Sequence, residues 1–318
     1  MIFIFSGCTS EKQEAQENKS LKVLFVPGVS DPFYYTMERG IRKKAAELEI
    51  ELTVSRYPEV WGAEYQIQIM EEITRHEEFD LVIISPVDNE ALISPLKALY
   101  DRGIEVVTVD TKIGDGNYSI PSRYSFPLSH IGTDNTLGGI EIAVHMAELT
   151  GEAGKFYINT TTKETSTTEE RKEGFLEGIS RFPDMEVIRV DYNDDLQNKA
   201  LEQTLTTLQI EPDIKGIFAT NIFSSQGVSQ AVSGSGLSGT VRIAAWDASE
   251  ILITALRHGE VDLVLGQKPA EIGEMAIEWG YKYLTDNTVV PKKLVSGFIF
   301  FNQSNVNDPE MAKYIYAK

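Results

Sequence analysis

From residue 21 onward the chain alternates short aliphatic and β-branched runs with longer stretches whose apolar positions recur every three or four residues. The short runs fall at 22–26, 51–55, 81–84, 105–109, 155–158, 186–190, 216–219, 242–245 and 263–266. Most are apolar at consecutive positions, as suits strands covered on both faces and therefore a parallel sheet flanked by helices. The longer stretches fall at 33–48, 63–76, 90–102, 135–150, 168–181, 196–208, 224–232, 249–258 and 270–284, and their period predicts amphipathic helices. Pro95 lies inside one of them, where it shifts the helix start or kinks it. The βα order runs twice, before and after an irregular segment, 111–129, rich in Gly, Pro, Ser and Tyr. With 318 residues, about twice a usual domain, the pattern predicts an α/β protein of two doubly wound, parallel-sheet lobes.

Composition narrows the classes of function. Hydrophobic residues make up 42% and charged residues 24%, ordinary for a folded soluble chain. A net charge of -19, with no basic stripe to override it, repels phosphate backbones and excludes nucleic acid as a partner. The one cysteine, Cys8, allows neither an internal disulfide nor a cysteine-based zinc site. It closes an apolar run that passes through Ser6 and Gly7, and a polar stretch from Thr9 to Ser20 follows it. This arrangement resembles a bacterial lipoprotein signal, cut before a cysteine that carries diacylglycerol, with a solvated tether behind it. The run is shorter than a full signal and has no basic start, so an upstream continuation is expected.

In open α/β sheets, ligands bind beyond the carboxyl ends of the strands. The residues expected there are unusually polar: Asp31, Asp110, Asn221, Asp247 and Gln267 each follow a strand. Arg171 is expected in the first turn of a helix whose preceding loop, 160–168, reaches the same edge. One such residue commonly does no more than cap the next helix. Six converging from both halves point to a site in which carboxylates, carboxamides and a guanidinium grip vicinal hydroxyls. Phe33 and Tyr34 add aromatic faces of the kind that sugar rings pack against. Three of these acids could in principle supply a carboxylate pair for catalysis. The sequence, however, has no nucleophile elbow, phosphate-binding Walker loop or His-Glu-x-x-His motif, and its four histidines are scattered. His130 is expected to be structural, no metal or cofactor is expected, and Arg171 is expected to serve a cleft and not a core.

Residue by residue, the chain resembles the type 1 periplasmic binding proteins, in particular the ribose- and galactose-type sugar receptors of ABC transporters. The resemblance runs from about Leu21 to Asp308. It rests on Asp31-Pro-Phe-Tyr34 with Met37, Gly40 and Ala45; on Asp80 to Pro86 with Asp88; and on Gly103 to Asp110. In the second half it rests on Ile131-Gly-Thr-Asp-Asn135 with Gly138-Gly139, Arg171-x-x-Gly174-Phe175, Asn221, Asp247 and Gln267-Lys-Pro269.

The resemblance implies that Asp31, Phe33, Tyr34, Asp110, Arg171, Asn221, Asp247 and Gln267 contact a neutral monosaccharide or polyol between two closing lobes. It implies a monomer at the periplasm or outer face of the cell membrane, reaching the membrane only through a lipid anchor and delivering its ligand to an ABC permease. A sensor presenting its ligand to a membrane histidine kinase is the alternative. It also implies three crossings, near His130, Gln267 and Val295, dividing the chain into lobe 1 (21–129 plus 269–294) and lobe 2 (130–268 plus 295–318), behind a signal remnant and tether (1–20). Three departures bear on pocket shape. Ile222-Phe223-Ser224 stands where the family has an Asp, Asp194-Asp195-Leu196 near an expected aromatic with Tyr192 a little earlier, and Trp246 at a usually smaller position.

Overall fold

The structure is a computed structural model and describes residues 20–317, so that Cys8 and its flanking run lie outside the described residues. Its first half runs β1 (Lys22–Val26), α1 (Pro32–Glu47), β2 (Glu51–Val54), α2 (Ala63–His76), β3 (Leu81–Ile84), α3 (Ile93–Tyr100), β4 (Glu105–Val109) and β5 (Ser129–Thr133). The second half runs α4 (Asn135–Thr150), β6 (Ala153–Thr160), α5 (Ser166–Ile179), β7 (Asp184–Tyr192), α6 (Gln197–Ile210), β8 (Ile214–Ala219), α7 (Ile222–Gly234), β9 (Arg242–Trp246), α8 (Glu250–Arg257) and β10 (Leu263–Gly266). A last segment adds α9 (Pro269–Asp286), β11 (Lys293–Ser296) and β12 (Ile299–Phe301).

The strands form two six-stranded sheets, ordered β11-β5-β4-β3-β1-β2 and β12-β10-β9-β8-β6-β7. Every pair is parallel except β10 with β12. The two orders are the same when β1 is matched to β6 and β4 to β9, so the halves repeat one doubly wound plan, as the sequence pattern predicts. Strands β1, β3, β4 and β8 to β10 are almost wholly buried, the environment that their consecutive Val, Ile, Leu and Phe residues require.

The sheets shift two expected crossings. Ser129-His130-Ile131-Gly132-Thr133 is not a crossing but the fully buried strand β5, paired to β4 and β11, so the chain leaves the first sheet between Thr133 and Asn135. Its Ser, His and Gly have little strand propensity, and only the neighbours on both sides hold it extended. The last crossing lies between Ser296 and Ile299, beyond Val295. The crossing at Gln267 stands between β10 and α9. Pro95 shifts its helix start, since α3 begins only at Ile93 and Pro95 sits in its first turn.

Each crossing from β5 or β10 hands a helix to the other sheet: α4 packs on α5, and α9 packs on α1. Both pairs are unusually close, which glycine permits. A Cβ at Gly40 would lie 2.1 Å from the Ala270 carbonyl oxygen, and one at Gly174 would lie 2.1 Å from that of Thr136. Small residues there let helix backbones touch, and any side chain must push the pair apart. Gly40→Ala or Gly174→Ala should therefore cost about 1–3 kcal/mol in urea unfolding. Gly234→Ala, at a helix position with no neighbour within 4 Å, should be neutral or stabilising by up to about 1 kcal/mol.

Candidate functional site

The eight residues singled out from the sequence all line one cavity between the carboxyl ends of the two sheets. From the first sheet, Asp31 stands just before α1 and caps it, its Oδ1 accepting from the Tyr34 N–H at 3.1 Å. Capping and site-lining are thus not rival roles for this residue, because the cap uses one carboxylate oxygen only. Phe33 and Tyr34 follow in the first turn, their rings edge to face at 5.1 Å. Tyr34 is buried and its hydroxyl donates to Asp110 Oδ2 at 2.8 Å, with Ser85 Oγ also 2.8 Å away. It braces Asp110 as well as lining the cavity.

Asp110 and Asp247 occupy equivalent places in the two sheets. Each follows the third strand of its sheet, and its N–H makes the last bond to the next strand, at Ile131 and Leu265 respectively. Each then turns through left-handed backbone, with φ of 60° and 78°. Asp tolerates that region better than most non-glycine residues, at some cost in strain. Asp247 Oδ1 accepts from Gln267 Nε2 at 2.7 Å and from the Tyr316 hydroxyl at 3.4 Å. The same hydroxyl accepts the Gln267 N–H at 2.6 Å, fixing Gln267 at the second crossing.

Arg171 lies in the second turn of α5, because that helix starts at Ser166, earlier than its periodicity suggests. It is also more than a cleft residue. Only 3% exposed, it donates from Nε to Asn135 Oδ1 at 2.9 Å and from Nη1 to the Thr220 carbonyl at 2.8 Å. Its guanidinium stacks 4.3 Å from the centre of a Trp246 ring. Trp246, one of the three departures, is thus a floor for the arginine. Asn221 caps α7 through Oδ1 and donates from Nδ2 to Asp195 Oδ1 at 2.6 Å.

Asp195 and Trp61 are the chief cavity residues beyond those eight. Asp195 follows β7, in the run that departs from the expected aromatic, and joins Asp31, Asp110 and Asp247 at the cavity; Tyr192 instead meets Lys172. Trp61 sits in the long loop after β2, where the strand-end rule applied to every strand would find it. Its ring fits because Gly28 is bare: a Cβ there would lie 2.7 Å from the indole. Thr161, Thr165, Thr167 and Thr168 come from the loop and helix start expected at this edge.

Four carboxylates therefore surround one guanidinium, the only cation among the described residues that lines the cavity. Asp31, Asp110, Asp195 and Asp247 each give one oxygen to protein donors and leave the other without one among the described residues. The buried Gln267 Oε1 and Trp61 Nε1 are also without partners. Burial pushes Asp195 up to about 7, helped by the negative charge of Asp247 and opposed by the Asn221 amide. Burial likewise pushes Asp110 up to about 6, against the pull of Arg171 and the Tyr34 hydroxyl. Asp31 and Asp247 are raised for the same first reason. Among the described residues no group of three or more His, Cys, Asp or Glu side chains is placed to hold a metal ion. His130 lies outside this cavity, bonded through Nδ1 to Thr108 Oγ1 and pushed down to about 3 by burial.

Residues 23–288 match the family model described as a periplasmic binding protein domain. An ABC transporter solute-binding protein from Agrobacterium vitis, solved with bound α-D-tagatopyranose, is 34% identical, with a TM-score of 0.91 over 94% of this chain and 100% of that one. The D-allose-binding periplasmic protein of Escherichia coli is 24% identical over 79% of this chain and 80% of its own length. The ribose import binding protein RbsB of the same organism is 25% identical over 86% and 88%. The family match takes in most of both sheets and every cavity residue named above, and this chain belongs to the periplasmic binding protein family.

Proposed function

We propose that this protein is the extracytoplasmic receptor of an ABC transporter, closing two lobes over one neutral monosaccharide or polyol and delivering it to a permease. In this reading β1 to β5, α1 to α3, α9 and β11 move as one lobe, and α4 to α8, β6 to β10 and β12 as the other. The observation that carries the reading is the divided set of acceptors. Asp31 and Asp110 come from one sheet and Asp195 and Asp247 from the other, each with an oxygen that protein donors leave unused. Sugar hydroxyls are donors that such oxygens accept in pairs, Arg171 offers donors in return, and the rings of Phe33 and Trp61 supply apolar surface for C–H groups. Only a closed lobe pair satisfies the ligand on both sides, so the ligand favours closure.

Four carboxylates against one guanidinium oppose an anionic ligand. In calorimetry with D-tagatose, D-ribose and D-allose, the sugar that binds should lose at least about 100-fold in affinity on phosphorylation, a difference of about 3 kcal/mol. Tighter binding of the phosphate would overturn the assignment. Arg171→Lys keeps the charge but loses the fork, and should weaken binding by about 10- to 100-fold. Arg171→Ala should also lower the melting temperature, since it strips donors from Asn135 and Thr220.

The acids also set a pH signature. Folded Asp110 and Asp195, at about 6 and about 7, hold protons that an unfolded aspartate has already released, so the folded state binds more protons between about pH 4 and 7. Without added sugar, stability should therefore rise as pH falls from 8 to 5, and be lost as pH rises through 6–7. Affinity should move the opposite way, because ionised oxygens accept hydroxyl protons best. Asp195→Asn should raise the melting temperature at pH 8 while weakening sugar binding; a variant that loses stability at pH 8 contradicts this account.

Anchoring at Cys8 belongs to the same reading, supported by the apolar run before the chain's one cysteine and the polar stretch behind it. Mass spectrometry of the protein from its native membrane should find Cys8 diacylated and N-terminal. An unmodified Cys8 would remove the anchor without touching the site.

A further inference from the structure

Outside the proposed sugar site, a charged contact joins the two halves. Lys112 lies two residues beyond Asp110, and Glu170 immediately precedes Arg171 on α5. Lys112 Nζ pairs with Glu170 Oε1, and the Lys112 N–H donates to Ser166 Oγ at 3.3 Å. The two charged side chains are only 18% and 32% exposed, so water screens them less than a surface pair. Asn135 stands behind both sites. It is buried at the start of α4, immediately after the first crossing, and its Nδ2 donates to the Thr133 carbonyl at 3.2 Å and to Glu170 Oε2 at 3.4 Å. Its Oδ1 accepts from Arg171 Nε at 2.9 Å.

We propose that the Lys112–Glu170 pair is a latch that closes the cleft, and that Asn135 couples this latch to Arg171. The proposal rests on the two-lobe receptor reading for its motion. Opposite charges face each other twice across the same gap: Lys112 pairs with Glu170 outside, and inside Asp110 feels the charge of Arg171 without a direct bond. Parting the sheets breaks the Lys112–Glu170 pair and draws the inner charges apart. A single amide holds Glu170 and Arg171 in register, so the arginine that meets the ligand is oriented when the latch is made. A hollow lined by Lys112, His130, Asn135, Glu170, Lys292 and Lys293 adjoins the pair.

The test uses charge reversal. Spin labels at Glu71→Cys on α2 and Glu202→Cys on α6, in a Cys8→Ser background, report the distance between the halves with and without D-tagatose. Lys112→Glu and Glu170→Lys should each shrink the short-distance population and weaken D-tagatose binding by about three- to tenfold, chiefly through faster release. The double reversal should restore the short-distance population, which a merely structural role for either residue would not do, and should recover affinity only in part, because a lysine at position 170 cannot accept the Asn135 amide. The effects of Glu170→Gln and Arg171→Lys on affinity should be non-additive, and should become additive when Asn135→Ala is also present. Single reversals that leave the distances unchanged, a double reversal that restores nothing, or a wild-type chain with no short-distance population in either condition would each overturn the latch. If distances follow the charge pairing while D-tagatose binds to no variant, the latch stands and the assignment of that sugar falls.

Discussion

The arrangement turns on one buried guanidinium. Asp110 at the end of β4 and Asp247 at the end of β9 face the same small cavity from different sheets, and the positive charge of Arg171 pulls against the rise in both their pKa values. Remove that charge and closing the two sheets would press like charges together in a site that water barely reaches. The guanidinium can serve both sides because it is planar and held rigidly. Asn135, the Thr220 carbonyl and the face of Trp246 fix three parts of it, leaving the rest of its fork for a ligand. A lysine would supply the charge without the fixed geometry.

The surrounding acids are costly to the fold. Two sit in left-handed backbone with a third, Asp195, beside them in that region, all four have raised pKa values, and each has an oxygen that no protein donor among the described residues meets. The buried Gln267 Oε1 and Trp61 Nε1 add two unpartnered atoms at the same cavity, and native proteins satisfy nearly all such groups, so bonding capacity left unused by the fold is gathered there. The offset comes from the sheets behind it. Strands β1, β4 and β9, which lead into Asp31, Asp110 and Asp247, are almost completely buried, and they bring these acids to their positions without help from the acids themselves.

What is legible in the sequence follows from the same division of labour. Strands such as Leu81–Ile84 and Leu263–Gly266 declare themselves because burial on both faces demands uninterrupted aliphatic runs. The residues just beyond such strands are then candidates by position alone, which is how Asp110, Asn221, Asp247 and Gln267 can be named and why all of them line one cavity. Strand β5 is illegible because Ser, His and Gly are held extended by β4 and β11 and not by their own preference. Trp61 is hard to name for another cause: the long loop after β2 hides which residue returns to the strand ends. The dual nature of Arg171 is hidden too, since nothing local reveals that Trp246 and Thr220, dozens of residues away, will enclose it.

The crossings tie the hinge to the site. Asn135 and Gln267 stand at the first two passages between the sheets, and each also bonds a cavity residue, Asn135 to Arg171 and Gln267 to Asp247. Any bend at those passages must therefore move the bonds that orient the guanidinium and the carboxylate. A protein with its hinge far from its site could close without assembling the site, and ligand affinity would then be nearly independent of hinge geometry. Here the same side chains belong to both. On the proposed receptor reading, a ligand that bonds the guanidinium and the carboxylate would thereby steady the crossings, and differential affinity for the closed form would follow from the covalent order of the chain.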